Sequence, residues 1–339
     1  MNTTPAPTAP DATSAPDAPT ATTAPDAGGP DAGKRVVLAE PRGFCAGVQR
    51  AIGMVERALE LHGSPVYVRK QIIHNAYVVR QLEKRGAVFV ESEEEVPEGR
   101  VCVFSAHGVS PAVRANAAAR QLNVIDATCP LVSKVHQEAK RFAAGGRTVV
   151  LIGHADHEEV EGTVGEAPEH TVVVENLEDA RALELPPDAE VSYLTQTTLS
   201  LDETRDIAAE LKRRFPQIKG PGSDDICYAS QNRQNAVKEL AAEAELVLVV
   251  GSDNSSNSVR MVEVAIRHGA RSYLVNDVSR LDEGWLRGVR TVGVTSGASA
   301  PEILVEQLVA RLAELGYGRV DTITTTTEDI VFAMPGSLQ

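Results

Sequence analysis

The chain reads as an α/β protein built from three similar αβ units in a pseudo-threefold arrangement. Three observations predict this. Three of the four cysteines each open a closely related stretch: Cys45 in PRGFCAGVQRAI, Cys129 in DATCPLVSKVH and Cys227 in DDICYASQNRQNAV. After each comes the same order of helical pattern, apolar strand and polar loop, as an internal repeat requires. Short strands alternate with helical segments throughout, which is the pattern of parallel α/β sheets.

The elements follow in order. Val48, Ile52, Val55 and Leu59 form one helical stripe after Cys45; Val132, Val135, Ala139 and Phe142 form another after Cys129, ending at Gly145 and Gly146. Ala236, Leu240 and Ala244 continue a similar stripe after Cys227. The first strands are VYVRKQIIHN, TVVLIGHADH and LVLVVGSDNSSNS; the last two reach Gly153 and Gly251, each 24 residues after its cysteine. AVFVES, TVVVEN and SYLVND follow as second strands, and VCVFSAHGVSP, VSYLTQTTLS and VGVTSGASAP as third. The expected organisation is an extension over 1–34, units over 35–128, 129–222 and 223–312, and a C-terminal segment, 313–339, returning to the body.

The extension, rich in Ala, Pro, Thr and Asp, lacks periodicity and aromatic residues, and is expected to be disordered. It has neither the basic nor the apolar region of a secretory signal. No apolar run approaches the ~20 residues of a membrane span. A net charge of −14 argues against a general nucleic-acid or membrane-surface binder, while leaving room for a local anion pocket. Four scattered cysteines without a signal suggest a reducing, cytoplasmic setting.

The three repeated cysteines are 84 and 98 residues apart, so they form no local metal knuckle. Threefold convergence would bring them to one axis. Three thiolates are too few for a closed four-thiolate site and suit a metal centre with one open position. Each cysteine also stands at the start of a helix, where the dipole favours a thiolate. Cys102 differs: it alternates with Val101 and Val103 inside a strand and reads as a packing residue.

Ligands of parallel sheets collect at the carboxyl ends of strands. The loops there carry His74 and Asn75; His107; His154, His157, Glu158, Glu159 and Glu161; Gln196, Thr197 and Thr198; Ser255, Ser256 and Asn257; and Ser296 and Ser299. These imidazoles, hydroxyls, amides and carboxyls suit diphosphate binding and proton delivery. Taken singly, SDNSSNS is also a solvated turn or cap, and HADHEE an acidic surface loop or a zinc-like pair. Neither GxxxxGK[ST] nor GxGxxG follows a strand, so nucleotide cradles have little support.

With PRGFCAGVQRAI, IIHN, SAHGVSP, DATCPLVSKVH, IGHADHEEVEGTVGE, TQTTLS, DDICYASQNRQNAV, GSDNSSNS, SGASAPE and EDIVFAMP in this order, the chain from Val36 to Leu338 resembles the 4-hydroxy-3-methylbut-2-enyl diphosphate reductase family. That family performs the last step of the methylerythritol phosphate route to isoprenoids. The resemblance implies a trefoil of αβ units around one [4Fe-4S] cluster per chain, held by Cys45, Cys129 and Cys227, with one open iron where the substrate hydroxyl would bind. It implies a diphosphate site of His74, His107, His157, Ser255, Asn257 and Ser299, with Ser256 beside them. Glu159 would supply a proton through Thr197, with Thr198 and Gln196 in support. The implied reaction turns (E)-4-hydroxy-3-methylbut-2-enyl diphosphate into isopentenyl and dimethylallyl diphosphate. Two electrons come singly from an external ferredoxin or flavodoxin. A single chain can build the whole site, so a monomer is expected. Two other readings compete with it: a zinc-dependent hydrolase using the HADHEE loop, and a non-catalytic iron–sulfur sensor.

Overall fold

Every strand of three separate sheets runs parallel to its neighbours. The structure is a computed structural model describing residues 33–186 and 188–338. The expected extension over 1–34 therefore lies outside the described residues except at its last two positions.

Each sheet repeats one core of three strands. In the first, β2 (Val66–Arg69) lies between β3 (Ala87–Val90) and β4 (Val101–Phe104). In the second, β6 (Thr148–Ile152) lies between β7 (Thr171–Val174) and β8 (Val191–Thr195). In the third, β9 (Leu246–Val250) lies between β10 (Arg271–Val275) and β11 (Thr291–Ser296). β9 is LVLVV and buried throughout, as expected for a strand covered on both faces.

Sheet membership crosses the boundaries of the sequence repeats. β1 (Arg35–Glu40) precedes Cys45 yet pairs with β11 of the third sheet, in register Val37 to Gly293. β5 (Asn123–Asp126) pairs with β4 and precedes Cys129. A single parallel bridge between Ser192 and Lys219 occupies the equivalent place before Cys227. Each cysteine thus lies on the crossover from one sheet to the next. β12 (Arg319–Thr324) adds a final strand outside β1.

The helices that follow the cysteines are α1 (Ala46–His62), α4 (Pro130–Ala144) and α8 (Tyr228–Glu243). Each packs its apolar stripe on the sheet of its own unit. Ala51, Met54 and Val55 meet Val66 and Val68; Val135, Ala139 and Phe142 meet Val149 and Leu151; Ala236, Val237 and Leu240 meet Val247 and Val249. Burying one such side chain is worth roughly 1.5–3 kcal/mol. The stripe after Cys45 is turned slightly from the expected one: Ile52 and Leu59 are half-buried, while Ala51, Met54 and Ala58 carry the packing. The remaining helices are α2 (Ala76–Lys84), α3 (Pro111–Ala119), α5 (Glu158–Glu166), α6 (Leu177–Ala182), α7 (Leu201–Arg214), α9 (Ser256–Arg267) and α10 (Glu302–Glu314). Among the described residues no helix is long and apolar enough to cross a membrane.

Candidate active site

All three repeated cysteines are helix N-caps, of α1, α4 and α8 respectively. Three equivalent hydrogen bonds hold their backbones. Cys129 N donates to Ala106 O at 3.0 Å, Cys227 N to Thr197 O at 3.0 Å and Cys45 N to Ala298 O at 3.2 Å. Each acceptor belongs to the loop after the third strand of the preceding unit. The same loops carry His107, Thr198 and Ser299, so the bonds couple the thiols to the polar rim.

The three thiols line one cavity of about 110 Å³ with His74, His107, His157, Glu159, Thr197, Thr198, Ser255, Ser256, Asn257 and Ser299. Of the residues that the resemblance assigns to the site, Gln196 is absent from its wall, as are the further loop candidates Asn75, His154, Glu158, Glu161 and Ser296. Gln196 stands behind, because its amide is spent on neighbours: Nε2 donates to Thr198 Oγ1 at 2.9 Å and Ser256 Oγ at 3.2 Å, while Oε1 accepts from His154 N at 3.1 Å. Through these bonds it holds two hydroxyls of the wall. Cys102 is fully buried in the first sheet, apart from the cavity.

The thiols fit a multi-atom metal core better than a single ion. Among the described residues, the one trio of His, Cys, Asp or Glu donors lying within 4.8 Å of one another is His74, His107 and Glu158. At least one pair of the three sulfurs is therefore more than 4.8 Å apart, beyond the roughly 3.8 Å that bonds of about 2.3 Å to one tetrahedral zinc impose. Space beside them is kept by Gly47, where a Cβ would stand 2.9 Å from Cys129 Sγ. Burial pushes the Cys129 thiol up to about 12 and that of Cys227 up to about 11. A bound cation reverses that preference by stabilising thiolate. Ser230 N also donates to Cys227 Sγ at 3.3 Å.

Glu159 sits on the first turn of α5 and is buried. Thr197 N donates to Oε1 at 2.6 Å and Thr197 Oγ1 to Oε2 at 3.0 Å. Desolvation outweighs these bonds and raises its pKa to about 7, which keeps a proton available near neutrality.

The histidines form a compact trio. His74 and His107 stack with ring centroids 4.0 Å apart, and His157 stands edge-on to both. Burial and mutual repulsion lower His74 and His157 to about 3, and burial lowers His107 to about 4. His157 Nδ1 accepts from Glu159 N at 3.2 Å, which leaves Nε2 as its N–H donor. His107 Nδ1 faces Glu158 Oε2 at 3.1 Å. Beyond the HADHEE stretch Glu161 pairs with Lys70; within it, His154 lines an adjoining groove with Asp156 and Arg260 that shares His74, His157 and Ser256 with the cavity.

Among the described residues no lysine or arginine lines the cavity. Helix N-termini take their place: α2 starts after Asn75, α5 at N-cap His157 and α9 at N-cap Ser255, with the three cysteine helices at the other end. Aligned helix dipoles and free N–H groups make such ends anion sites. Such ends would let an acidic protein accommodate an anion here. Polar groups are tied together around it: Ser255 Oγ and Ser299 Oγ hydrogen-bond at 3.2 Å, and Asn257 Oδ1 accepts from Ala298 N at 2.8 Å. Sequence reasoning missed Ser230, Tyr228, Gly47 and Phe332. Tyr228 and Ser230 follow a singled-out cysteine and were findable; Phe332 lies in the EDIVFAMP stretch, but no spacing or periodicity there marks it as a cavity residue.

The LytB protein family matches residues 36–313. The 4-hydroxy-3-methylbut-2-enyl diphosphate reductase of Nocardia farcinica is 58% identical over 310 residues, covering 91% of this chain and 92% of its own. That of Acidothermus cellulolyticus is 59% identical over 307 residues, covering 90% of each. The solved E-1-hydroxy-2-methyl-but-2-enyl-4-diphosphate reductase of Plasmodium falciparum is 39% identical with a TM-score of 0.88, over 90% of this chain and 96% of its own.

Proposed function

The chain belongs to the LytB family of 4-hydroxy-3-methylbut-2-enyl diphosphate reductases, and from that premise we propose that the thiol-lined cavity is where it reduces its allylic diphosphate. The reaction is the reductive dehydroxylation of (E)-4-hydroxy-3-methylbut-2-enyl diphosphate to isopentenyl and dimethylallyl diphosphate, consuming two electrons and two protons and releasing water. The observation that carries the assignment is the presence of three thiols from three units, a buried carboxyl and a rim of imidazoles and hydroxyls in one cavity.

In this reading Cys45, Cys129 and Cys227 would hold a [4Fe-4S] cluster, leaving one iron without a protein ligand. When bound, the cluster supplies Lewis acidity and electrons one at a time. The chain's own residues do the rest. His74, His107, His157, Ser255, Ser256, Asn257, Ser299 and Thr198 bind the diphosphate, with helix N-termini behind them. Glu159 carries a proton to the leaving hydroxyl, and Thr197 holds its carboxyl in place through both oxygens. Gln196 positions Thr198 and Ser256. Burial of the cavity excludes water that would compete for the proton. Electrons come from an external one-electron donor, a ferredoxin or flavodoxin, to a monomer in the cytoplasm. Neither the zinc-hydrolase nor the sensor reading draws support from the family.

Anaerobic protein should contain about four iron and four sulfide per chain. It should turn over the allylic diphosphate with a reduced one-electron donor. Cys45→Ser, Cys129→Ser and Cys227→Ser should each abolish turnover. Retained activity in any of the three would reject the ligand set.

A further inference from the structure

Residues after β12 lie across the cysteine end of the cavity, and two arginines tie them to every cysteine-bearing segment. Arg233, on α8 and 0% exposed, donates Nη2 to Gly43 O at 2.7 Å and Nη1 to Ala229 O at 3.0 Å. The same guanidinium grips Glu328 of the tail, with Nη1 at 3.0 Å from Oε1, and Asn232 Nδ2 adds a bond of 3.0 Å to that oxygen. It thereby joins the Cys45 loop and the Cys227 helix to the tail. Arg50, on α1, does the same for the third segment. Its Nε donates to Ala333 O of the tail at 3.0 Å and its Nη1 to Thr128 O, beside Cys129, at 3.2 Å. Between the two anchors, Phe332 lines the cavity while its neighbour Val331 is 87% exposed. Beyond them Leu338 is buried in the core of the first unit.

We propose that residues 328–333 form a seal over the thiols, with Arg233 and Arg50 as positioning residues that fix the three cysteine segments against one another through that seal. A buried guanidinium is costly unless paired and fully hydrogen-bonded. Among the described residues the one ion-pair partner of Arg233, Glu328, comes from the tail, and Arg233 Nε already lacks a hydrogen-bond partner, so a displaced tail leaves an uncompensated buried charge. That energetic penalty is what holds the seal shut. Phe332 then stands between the sulfurs and bulk solvent, and keeps oxygen and thiol reagents from them. The proposal rests on the reading of the three cysteines as ligands only where it speaks of a bound cluster; sealing of the thiols is a property of the chain itself.

The test uses full-length chain in four forms: wild type, Glu328→Ala, Phe332→Ala and, as a control, Val331→Ala. Iron-free protein is alkylated with iodoacetamide, and the rate at each cysteine is read by peptide mass spectrometry. In parallel, the lifetime of the visible absorption of iron-loaded protein is followed in air. Glu328→Ala and Phe332→Ala should raise alkylation of Cys45, Cys129 and Cys227 on the order of tenfold, as expected for lost local protection, and shorten the lifetime in air. Cys102 should stay unlabelled, which reports an intact first sheet, and Val331→Ala should match wild type. If Glu328→Ala labels Cys102, its fold is lost and Phe332→Ala alone decides. Wild-type labelling rates and air lifetime in Phe332→Ala, or an equal effect from Val331→Ala, would overturn the proposal. Protected thiols released by Phe332→Ala in a chain that takes up no iron would sink the cluster reading and leave the seal standing.

Discussion

Replacing Glu159 by glutamine separates proton delivery from binding. The glutamine amide has the same shape, and its oxygen can keep the 2.6 Å bond from Thr197 N. The cavity and the thiols should be undisturbed. What disappears is the acid, and loss of a general acid costs about 10²- to 10⁴-fold in rate. Turnover should fall by that factor while iron content and substrate affinity stay near wild type. The raised pKa adds a second readout. The folded chain holds the Glu159 proton to about pH 7, against 4.5 for the unfolded group. Protons are thus bound more tightly in the folded state, and this contribution to stability is complete below pH 4.5 and lost as pH rises through about 7. At about 1.36 kcal/mol per pH unit, that window is worth about 3 kcal/mol. Urea melts at pH 5 and pH 8 should show wild type losing up to that much relative to Glu159→Gln. The wild-type rate should also decline above about pH 7. Near-normal turnover in Glu159→Gln would refute the proton assignment, and parallel stability curves would refute the buried neutral carboxyl.

Gly47→Ala should lower iron per chain, because the new Cβ meets Cys129 Sγ at 2.9 Å, and should cost about 1–3 kcal/mol in a urea melt; full iron content would show that the thiol has room to move. His107→Ala should weaken substrate binding by about 10- to 100-fold, the worth of a hydrogen bond to a charged group, with a smaller effect on kcat; an unchanged KM would remove His107 from the rim. At pH 7 the trio of His74, His107 and His157 is neutral, and an adjacent diphosphate raises all three pKa values. Binding should therefore take up protons, seen as a buffer-dependent calorimetric enthalpy; no dependence on buffer ionisation enthalpy would contradict the diphosphate placement.

Much of this protein was legible from its chain alone, because the relevant signals are local. Apolar runs such as LVLVV mark strands, Val132, Val135, Ala139 and Phe142 mark a helix face, and Cys129 before Pro130 marks a helix start. Repetition of those signals three times pointed to the polar loops, and His74, His107, Glu159 and Ser299 do share one cavity. Tertiary structure alone decided what lies far apart in sequence. Nothing in RVVLAE says that β1 joins the sheet of the third unit, because any strand edge offers the same unpaired N–H and C=O groups and partner choice depends on the packing of whole layers. The placement of Gln196 behind the wall, the charge state of Glu159 and the reach of Phe332 into the cavity likewise depend on neighbours that no local pattern names. Periodicity encodes which side of an element is buried; only the assembled fold determines against what.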